Sequence, residues 1–236
     1  KHYQPVYIYV VPAFAEVLYS RIMSTVKKEG KEDKIKLGIA ITRALRKIGI
    51  DKRKKIFAQI HENFGGNLRK IVCGGAPIRP EIGQFFDDIG IALIGGYGIT
   101  ECSPLVSVNQ EGFNDPATVG VILPCVEVKF EDVNEDGNGE ICVKGDTVML
   151  GYYKNEEATE TTLIDGWYHT GDLGIIDAEG NVFIKGRSKN MLLGANGQNI
   201  YPEEIEDKLN SLPMVAECVV IQKGEKLYAL VYPDME

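Results

Sequence analysis

LRKIVCGGAPIRPEIGQFFDDIGIALIGGYGITE, residues 68 to 101, decides how the rest of the chain is read. LRKIVC is short, apolar and ends on a Gly-Gly turn, the mark of a buried strand. A helix is predicted from Pro80, because proline suits a first helical position and Ile82, Phe85 and Phe86 recur on one face. IALIG is a second buried strand, and GYGITE follows it at residues 96–101. The unit is strand, helix, strand with a parallel crossover. Ligands gather at the carboxyl ends of such strands, where both glycine turns, GGAP and GYGITE, are expected to lie.

Upstream, Phe14, Val17, Leu18, Ile22 and Val26 recur at helical spacing between Ala13 and Lys28, with Gly30 as a stop. A second periodic stretch uses Leu37, Ile41, Leu45 and Ile48, and a third lies around Ile56 and Ile60. These read as core helices without chemistry. Downstream of about Val119 the texture becomes β-rich: VEVKFEDV, the turn NEDGNG and EICVKG form one hairpin, and GWYHTGDLGIIDA, AEGN and VFIKGR another. After Arg187 come the Gly- and Asn-rich GANGQN, a helix PEEIEDKLNSL, and two strands, ECVVIQK and KLYALVYP.

The expected fold class is therefore α/β: a strand-helix-strand layer with a parallel sheet, then a β-rich subdomain and the start of a small α+β carboxy-terminal domain. The divisions fall at 1–118, 119–187 and 188–236.

At 236 residues, 44% hydrophobic and 25% charged, the composition is that of an ordinary globular protein. A net charge of −8 argues against a surface that neutralises phosphodiesters, the basic run Lys52, Arg53, Lys54 and Lys55 notwithstanding. Nucleic acid is not an expected partner. Five cysteines without a CxxC pair suit a reducing compartment, and all five read as small buried hydrophobes. Cytoplasmic residence is expected, with no signal peptide or membrane span. The chain opens on Lys1 and closes on LYALVYPDME, which reads as a piece of something longer.

Several familiar chemistries find no support. DVNEDG, 132–137, copies the first half of a calcium loop, but Val143 stands where the bidentate glutamate belongs, so a hairpin turn is the expectation. GYG lacks a third glycine, because Glu101 takes that place, and no GxxxxGK[ST] loop is present. His2, His61 and His169 are too scattered for zinc, His61 reads as structural, and no GxSxG elbow occurs. What remains is an ordered set of polar turns. Asp172 follows a Thr-Gly turn in YHTGDLG, and Arg187 follows a strand in GRSKN. An aspartate accepting from vicinal hydroxyls beside a donating arginine makes a reasonable ribose clamp, although a turn or a salt bridge explains either residue singly.

Taken in order, GGAP, GYGITE, GWYHTGD and GRSKNMLLGANGQNIYPEEIE resemble the adenylate-forming superfamily of acyl-CoA synthetases, adenylation domains and luciferases. FGGNLRKIVCGGAPI, GYGITECSPLVSVN and VVPAFAEVLYSRI narrow the resemblance to long-chain fatty-acid CoA ligases. The resemblance covers most of the chain.

It implies roles for particular residues. Gly75 and Ala76 would offer backbone against adenine, Tyr97 would stack on it, and Gly98 would let the nucleotide approach closely. Thr100 would hydrogen-bond the α-phosphate and Glu101 would help hold Mg²⁺. Asp172 would take the ribose hydroxyls with Arg187 in support. Lys189 would stand at the hinge of the small domain, where many relatives carry aspartate. GANGQNIYPEEIE would approach the adenylate or the thiol acceptor.

The implied substrates are a fatty acid, ATP and coenzyme A, with peripheral membrane contact compatible with substrates that partition into lipid. The family's phosphate loop would lie before Lys1 and its catalytic lysine beyond Glu236, so this stretch alone is expected to be inactive in adenylation. Two other classes stay open: an adenylation enzyme that loads a carrier protein, and a non-catalytic nucleotide-binding module.

Overall fold

The computed structural model describes residues 3–234 apart from 77, 111–114, 116, 195–197, 211, 213 and 225. The last residue of GGAP and the centre of GANGQN therefore lie outside the described residues. The chain divides into two compact units, one of residues 1–97 and 108–120, the other of 98–107 and 121–236.

In the first unit, β1 (Tyr7–Val10), β2 (Lys70–Cys73) and β3 (Ala92–Gly98) run side by side in parallel, Ile71 opposite both Ile8 and Leu93. The helices are α1 (Pro12–Lys28), α2 (Glu32–Arg46), α3 (Arg53–Ile56), α4 (Ala58–Asn63) and α5 (Pro80–Ile89). The crossover from β2 through α5 to β3 is the predicted strand-helix-strand unit. Pro80 occupies the first turn of α5, and Gly90 ends the helix at φ 89°. The Gly90 and Ile91 N–H groups donate to the Asp87 and Phe86 carbonyls, satisfying two otherwise orphaned acceptors. Ile82, Phe86 and Ile89 are fully buried against Ile71, Ile91 and Leu93, each such side chain contributing about 1.5–3 kcal/mol. Arg43 of α2 grips the buried Asp88 of α5 with Nε at 2.8 Å and Nη2 at 2.5 Å, a bidentate pair that keeps the carboxylate satisfied.

Two helical expectations need correcting. Leu37, Ile41, Ile48 and Ile56 are exposed, as are Phe14 and Val17, so in α2 the periodicity picked out the wrong stripe, whereas in α1 Leu18, Ile22 and Val26 lie on the inward stripe as read. The stripe that packs on the core runs through Ala15, Leu18, Ile22 and Val26 in α1 and Ile35, Gly38, Ile39 and Thr42 in α2. Gly38 explains why α2 turns that way. The Phe57 ring lies against it, and a Cβ there would meet Phe57 Cζ at 3.1 Å. The third predicted helix is broken into α3 and α4 at the buried Phe57.

β4 (Leu105–Val108) and β5 (Val121–Ile122) fall where the chain passes from one unit's residues to the other's. The second unit holds an antiparallel sheet in the order β10, β9, β7, β6: β6 is Val126–Glu131, β7 Gly139–Gly145, β9 Trp167–Ile176 and β10 Val182–Arg187. Both predicted hairpins are present. At the turn of the first, Asn134 Oδ1 accepts from the Asp136 and Asn138 N–H groups, each at 3.0 Å, which is why Asn and Asp populate DVNEDG.

Helix α6 (Glu156–Thr162), capped by Asn155, leads into β8 (Leu163–Ile164), which pairs with β9. After β10 come the short pair β11 (Leu192–Leu193) and β12 (Asn199–Ile200), helix α7 (Pro202–Asn210), and a hairpin of β13 (Val215–Lys223) and β14 (Lys226–Pro233). Cys73, Cys102, Cys142 and Cys218 are buried, but Cys125 is exposed, against the expectation for all five. Among the described residues no helix is long and apolar enough to cross a membrane.

Candidate functional site

In the first unit, Gly74, Gly75 and Ala76 follow β2 directly and are exposed, and Tyr97 sits half-buried on β3. Gly75 has φ 94°, a left-handed backbone that glycine adopts without penalty, and nothing lies within 4 Å of where a side chain would start. This stretch of backbone is open to a flat ligand. His61, in the same unit, is buried, with Nε2 2.8 Å from the Ile89 carbonyl oxygen, which fits the structural role read for it.

In the second unit, Gly98 opens a tight loop. The Ile99 N–H donates to the Pro104 carbonyl at 2.7 Å, and a Cβ on Gly98 would sit 2.1 Å from that same oxygen. Glycine here is demanded by the loop's own backbone. The loop carries a 3₁₀ turn over Thr100–Cys102, closed by Ser103 at φ 59°. Thr100 is exposed at its start, and Glu101 is half-buried.

Two anchors hold Glu101. Its carbonyl accepts from the Met149 N–H at 2.7 Å, and its Oε1 accepts from the Tyr152 hydroxyl at 2.8 Å. The Tyr152 hydroxyl also lies 3.2 Å from that of Tyr168. Burial, the Tyr152 hydrogen bond and the nearby Glu101 charge push the Tyr168 hydroxyl far above the usual phenol range, so it stays protonated. Cys102 is pushed up to about 11 by burial and by Glu101, leaving it an inert thiol at neutral pH.

Tyr168 and Asp172 belong to the same strand and the same buried face, at alternating positions with Thr170 between them. Asp172 is 5% exposed and directly opposite Arg187 across the β9–β10 ladder, with Arg187 Nε 2.9 Å from Oδ1. The predicted pair is thus brought together by register.

The register also reveals something the motif did not. Cys142 pairs with His169 and Glu140 with Leu173, so a single residue of β7, Ile141, faces three of β9: Thr170, Gly171 and Asp172. Thr-Gly-Asp is a bulge, the kind of local irregularity that re-aims a side chain. Gly171 supplies its left-handed turn at φ 71°. Lys189 is exposed in the 3₁₀ turn Ser188–Asn190 that follows β10.

Sequence reading missed Tyr152, Tyr168 and Glu140. The tyrosines carried only the signal of flanking glycine motifs, GYYKN and GWYHTGD, and Glu140 only that of a polar residue at a strand start. On the far face of the sheet, donor atoms of Glu131, Cys142 and His169 lie within 4.8 Å of one another. Burial and the charges of Glu140 and Glu131 push the Cys142 thiol up to about 12, and Glu131 is paired with Lys129, so hydrogen bonds and ion pairs account for this cluster.

The family described as AMP-binding enzyme matches residues 1–153. Long-chain-fatty-acid–CoA ligase FadD15 of Mycobacterium bovis is 37% identical over 184 residues, 77% of this chain and 30% of the relative. Long chain acyl-CoA synthetase 7, peroxisomal, of Arabidopsis thaliana is 35% identical over 246 residues, 96% of this chain and 35% of the relative. The chain therefore spans about a third of the length of these curated relatives. Among solved structures, o-succinylbenzoate coenzyme A synthetase (MenE) from Bacillus subtilis, in complex with ATP and magnesium ion, superimposes with a TM-score of 0.63 at 30% identity, covering 75% of this chain and 40% of that one.

Proposed function

Because this chain belongs to the AMP-binding enzyme family of adenylate-forming acyl-CoA ligases, we propose that it supplies the nucleotide-facing part of a long-chain fatty-acid CoA ligase. The observation that carries the nucleotide reading is the Asp172–Arg187 pair, a buried carboxylate held in a bulge by a cation at 2.9 Å. A carboxylate fixed in this way accepts from two vicinal hydroxyls without reorganising, the geometry a ribose 2′,3′-diol requires. The acyl class rests on relatives named for long-chain fatty acids or for long-chain acyl-CoA.

The reaction follows from the chemistry of the substrates. A fatty carboxylate oxygen attacks the α-phosphorus of ATP, and the bond to the β-phosphate oxygen breaks to expel pyrophosphate. The thiol of coenzyme A then attacks the acyl carbonyl, loses its proton and expels AMP. Neither step needs a strong base, so positioning and charge stabilisation dominate.

Thr100 would donate its exposed hydroxyl to the α-phosphate. Gly75 and Ala76 would lie against adenine, with Tyr97 as a stacking face. Glu101 fits a magnesium ion: it is a hard oxygen donor, half-buried, with Oε1 already oriented by Tyr152. Magnesium, when bound, neutralises charge on the phosphates. Lys189 and the segment 188–236 would form the hinge and the start of a small domain that reorients between the two steps. Cytoplasmic residence and peripheral contact with lipid belong to the same reading.

Calorimetric titration of the chain with AMP and with a non-hydrolysable fatty acyl-adenylate analogue tests it. Asp172→Ala should weaken AMP binding by about 10-fold or more, the worth of a charge-assisted hydrogen bond. An unchanged affinity would sink the ribose assignment. The resemblance to MenE favours a second reading, a compact aromatic acid as substrate. Tighter binding of an aryl-adenylate than of the fatty acyl analogue would establish it.

A further inference from the structure

A three-residue bulge has a cost: backbone N–H groups that would have joined the ladder are left without their strand partners. At Gly171 and Asp172 these groups are answered from within the sheet. The Asp172 N–H donates to Thr170 Oγ1 at 3.0 Å, and the Thr170 hydroxyl donates to the Ile141 carbonyl at 2.8 Å. The Gly171 N–H donates to Glu140 Oε1 at 2.8 Å. The other oxygen of the same carboxylate, Oε2, lies 3.2 Å from His169 Nδ1.

Glu140 therefore straddles Thr170, holding the residue before it and the residue after it, one with each oxygen. It does so from β7, where its own strand partners are fixed: Glu131 on one side and Leu173 on the other.

We propose that Glu140 is a positioning residue for Asp172, its carboxylate clamping His169 and Gly171 so that the Thr-Gly-Asp bulge presents the Asp172 side chain to the ribose in one orientation. The inference rests on the reading of Asp172 as the ribose ligand, which Glu140 itself does not touch.

Three features of the site support an active clamp over an incidental contact. Gly171 stands at φ 71° and is paired in neither the β7 nor the β10 ladder, so its N–H contact to Glu140 is a restraint on the turn beside the Asp172 N–H bond to Thr170 Oγ1. Charge matters as well, because an ionised acceptor roughly doubles the strength of an N–H hydrogen bond. Finally, His169 is flanked by a second carboxylate, with Glu131 Oε2 at 3.7 Å from Nε2, and Lys129 is paired with that carboxylate. A carboxylate thereby stands at each ring nitrogen, Glu140 at Nδ1 and Glu131 at Nε2, with Cys142 Sγ also 3.5 Å from Nδ1.

The test combines two readouts on the 236-residue chain: amide-resolved hydrogen exchange at Gly171 and Asp172, and AMP titration with a urea midpoint recorded for each variant. Glu140→Ala should speed exchange at Gly171 by about 10-fold or more and raise the AMP Kd of the folded protein by about 10-fold. Glu140→Gln, which keeps an acceptor oxygen without the charge, should recover most of the affinity and leave a several-fold acceleration confined to Gly171.

A purely structural role for Glu140 would lower the urea midpoint and speed exchange evenly over β7 and β9 with affinity unchanged, and that result overturns the proposal. So does an unaltered Gly171 rate. Should Glu140→Ala fail to fold, Glu140→Gln alone decides by whether the acceleration is local to Gly171 or absent. A wild-type chain that ignores AMP would overturn the ribose assignment, and the Gly171 exchange rate would still show whether Glu140 holds the bulge.

Discussion

Gly75 and Gly98 each mark the carboxyl end of a parallel strand, yet the structure asks for glycine at the two positions for opposite reasons. Around Gly75 there is empty space and a left-handed φ of 94°. Around Gly98 the φ is ordinary and the space is gone, with the Pro104 carbonyl oxygen 2.1 Å from any Cβ. One glycine is there for what its backbone angle permits, the other for the side chain it lacks. The first leaves a surface open to a ligand, whereas the second closes a loop on itself so that Thr100 and Glu101 are carried on a rigid turn.

The largest effect that could break this comparison comes from Gly98→Ala. The methyl group has no route around a backbone carbonyl, so the loop must shift, at a cost of about 3 kcal/mol or more. The urea midpoint should fall accordingly, and a drop of under about 1 kcal/mol would mean that the loop is not closed as described. Next comes Tyr152→Phe, which removes the hydroxyl from Glu101 Oε1 while leaving the Met149 anchor in place. A hydrogen bond to a charged group sets the loss at about 1.5 kcal/mol. A double cycle with Glu101→Gln should show the two substitutions to be non-additive, as expected for contacting groups. The smallest effect is that of Gly75→Ala. It meets no atom, so only the left-handed backbone resists it, by about 1 kcal/mol. If Gly75→Ala cost as much as Gly98→Ala, the distinction between the two glycines would collapse.

Much of the site was legible in advance because its parts are local. Glycine turns after apolar runs, Pro80 opening a helix, and Asn and Asp filling the DVNEDG turn all act through a residue's own φ and ψ or its immediate neighbours. Asp172 and Arg187 could be proposed as partners because one follows a Thr-Gly turn and the other a strand end, but they face each other only through an irregularity of β10 between Ile184 and Gly186. Glu140 and Tyr152 could not. Glu140 reaches Gly171 from 31 positions away, and Tyr152 reaches Glu101 from 51, and neither link leaves a periodic trace. The bulge was hidden for the same reason, since it exists only as a mismatch between the count of residues on β7 and on β9.

The helices of the first unit show the same limit from the other side. Sequence by itself established that α1 and α2 are helices, since apolar recurrence at three and four residues is enough to define the period. It also established the parallel crossover, the two hairpins and the order of the polar turns. Which stripe of α2 is buried was decided by tertiary structure, through the Phe57 ring seated on Gly38 and the Arg43 fork on Asp88. So were the exposure of Cys125, the closure of the Gly98 loop and the aim of Asp172. Period is a property of one chain segment, whereas burial, collision and cross-strand hydrogen bonding belong to pairs of segments and exist only once the chain has brought them together.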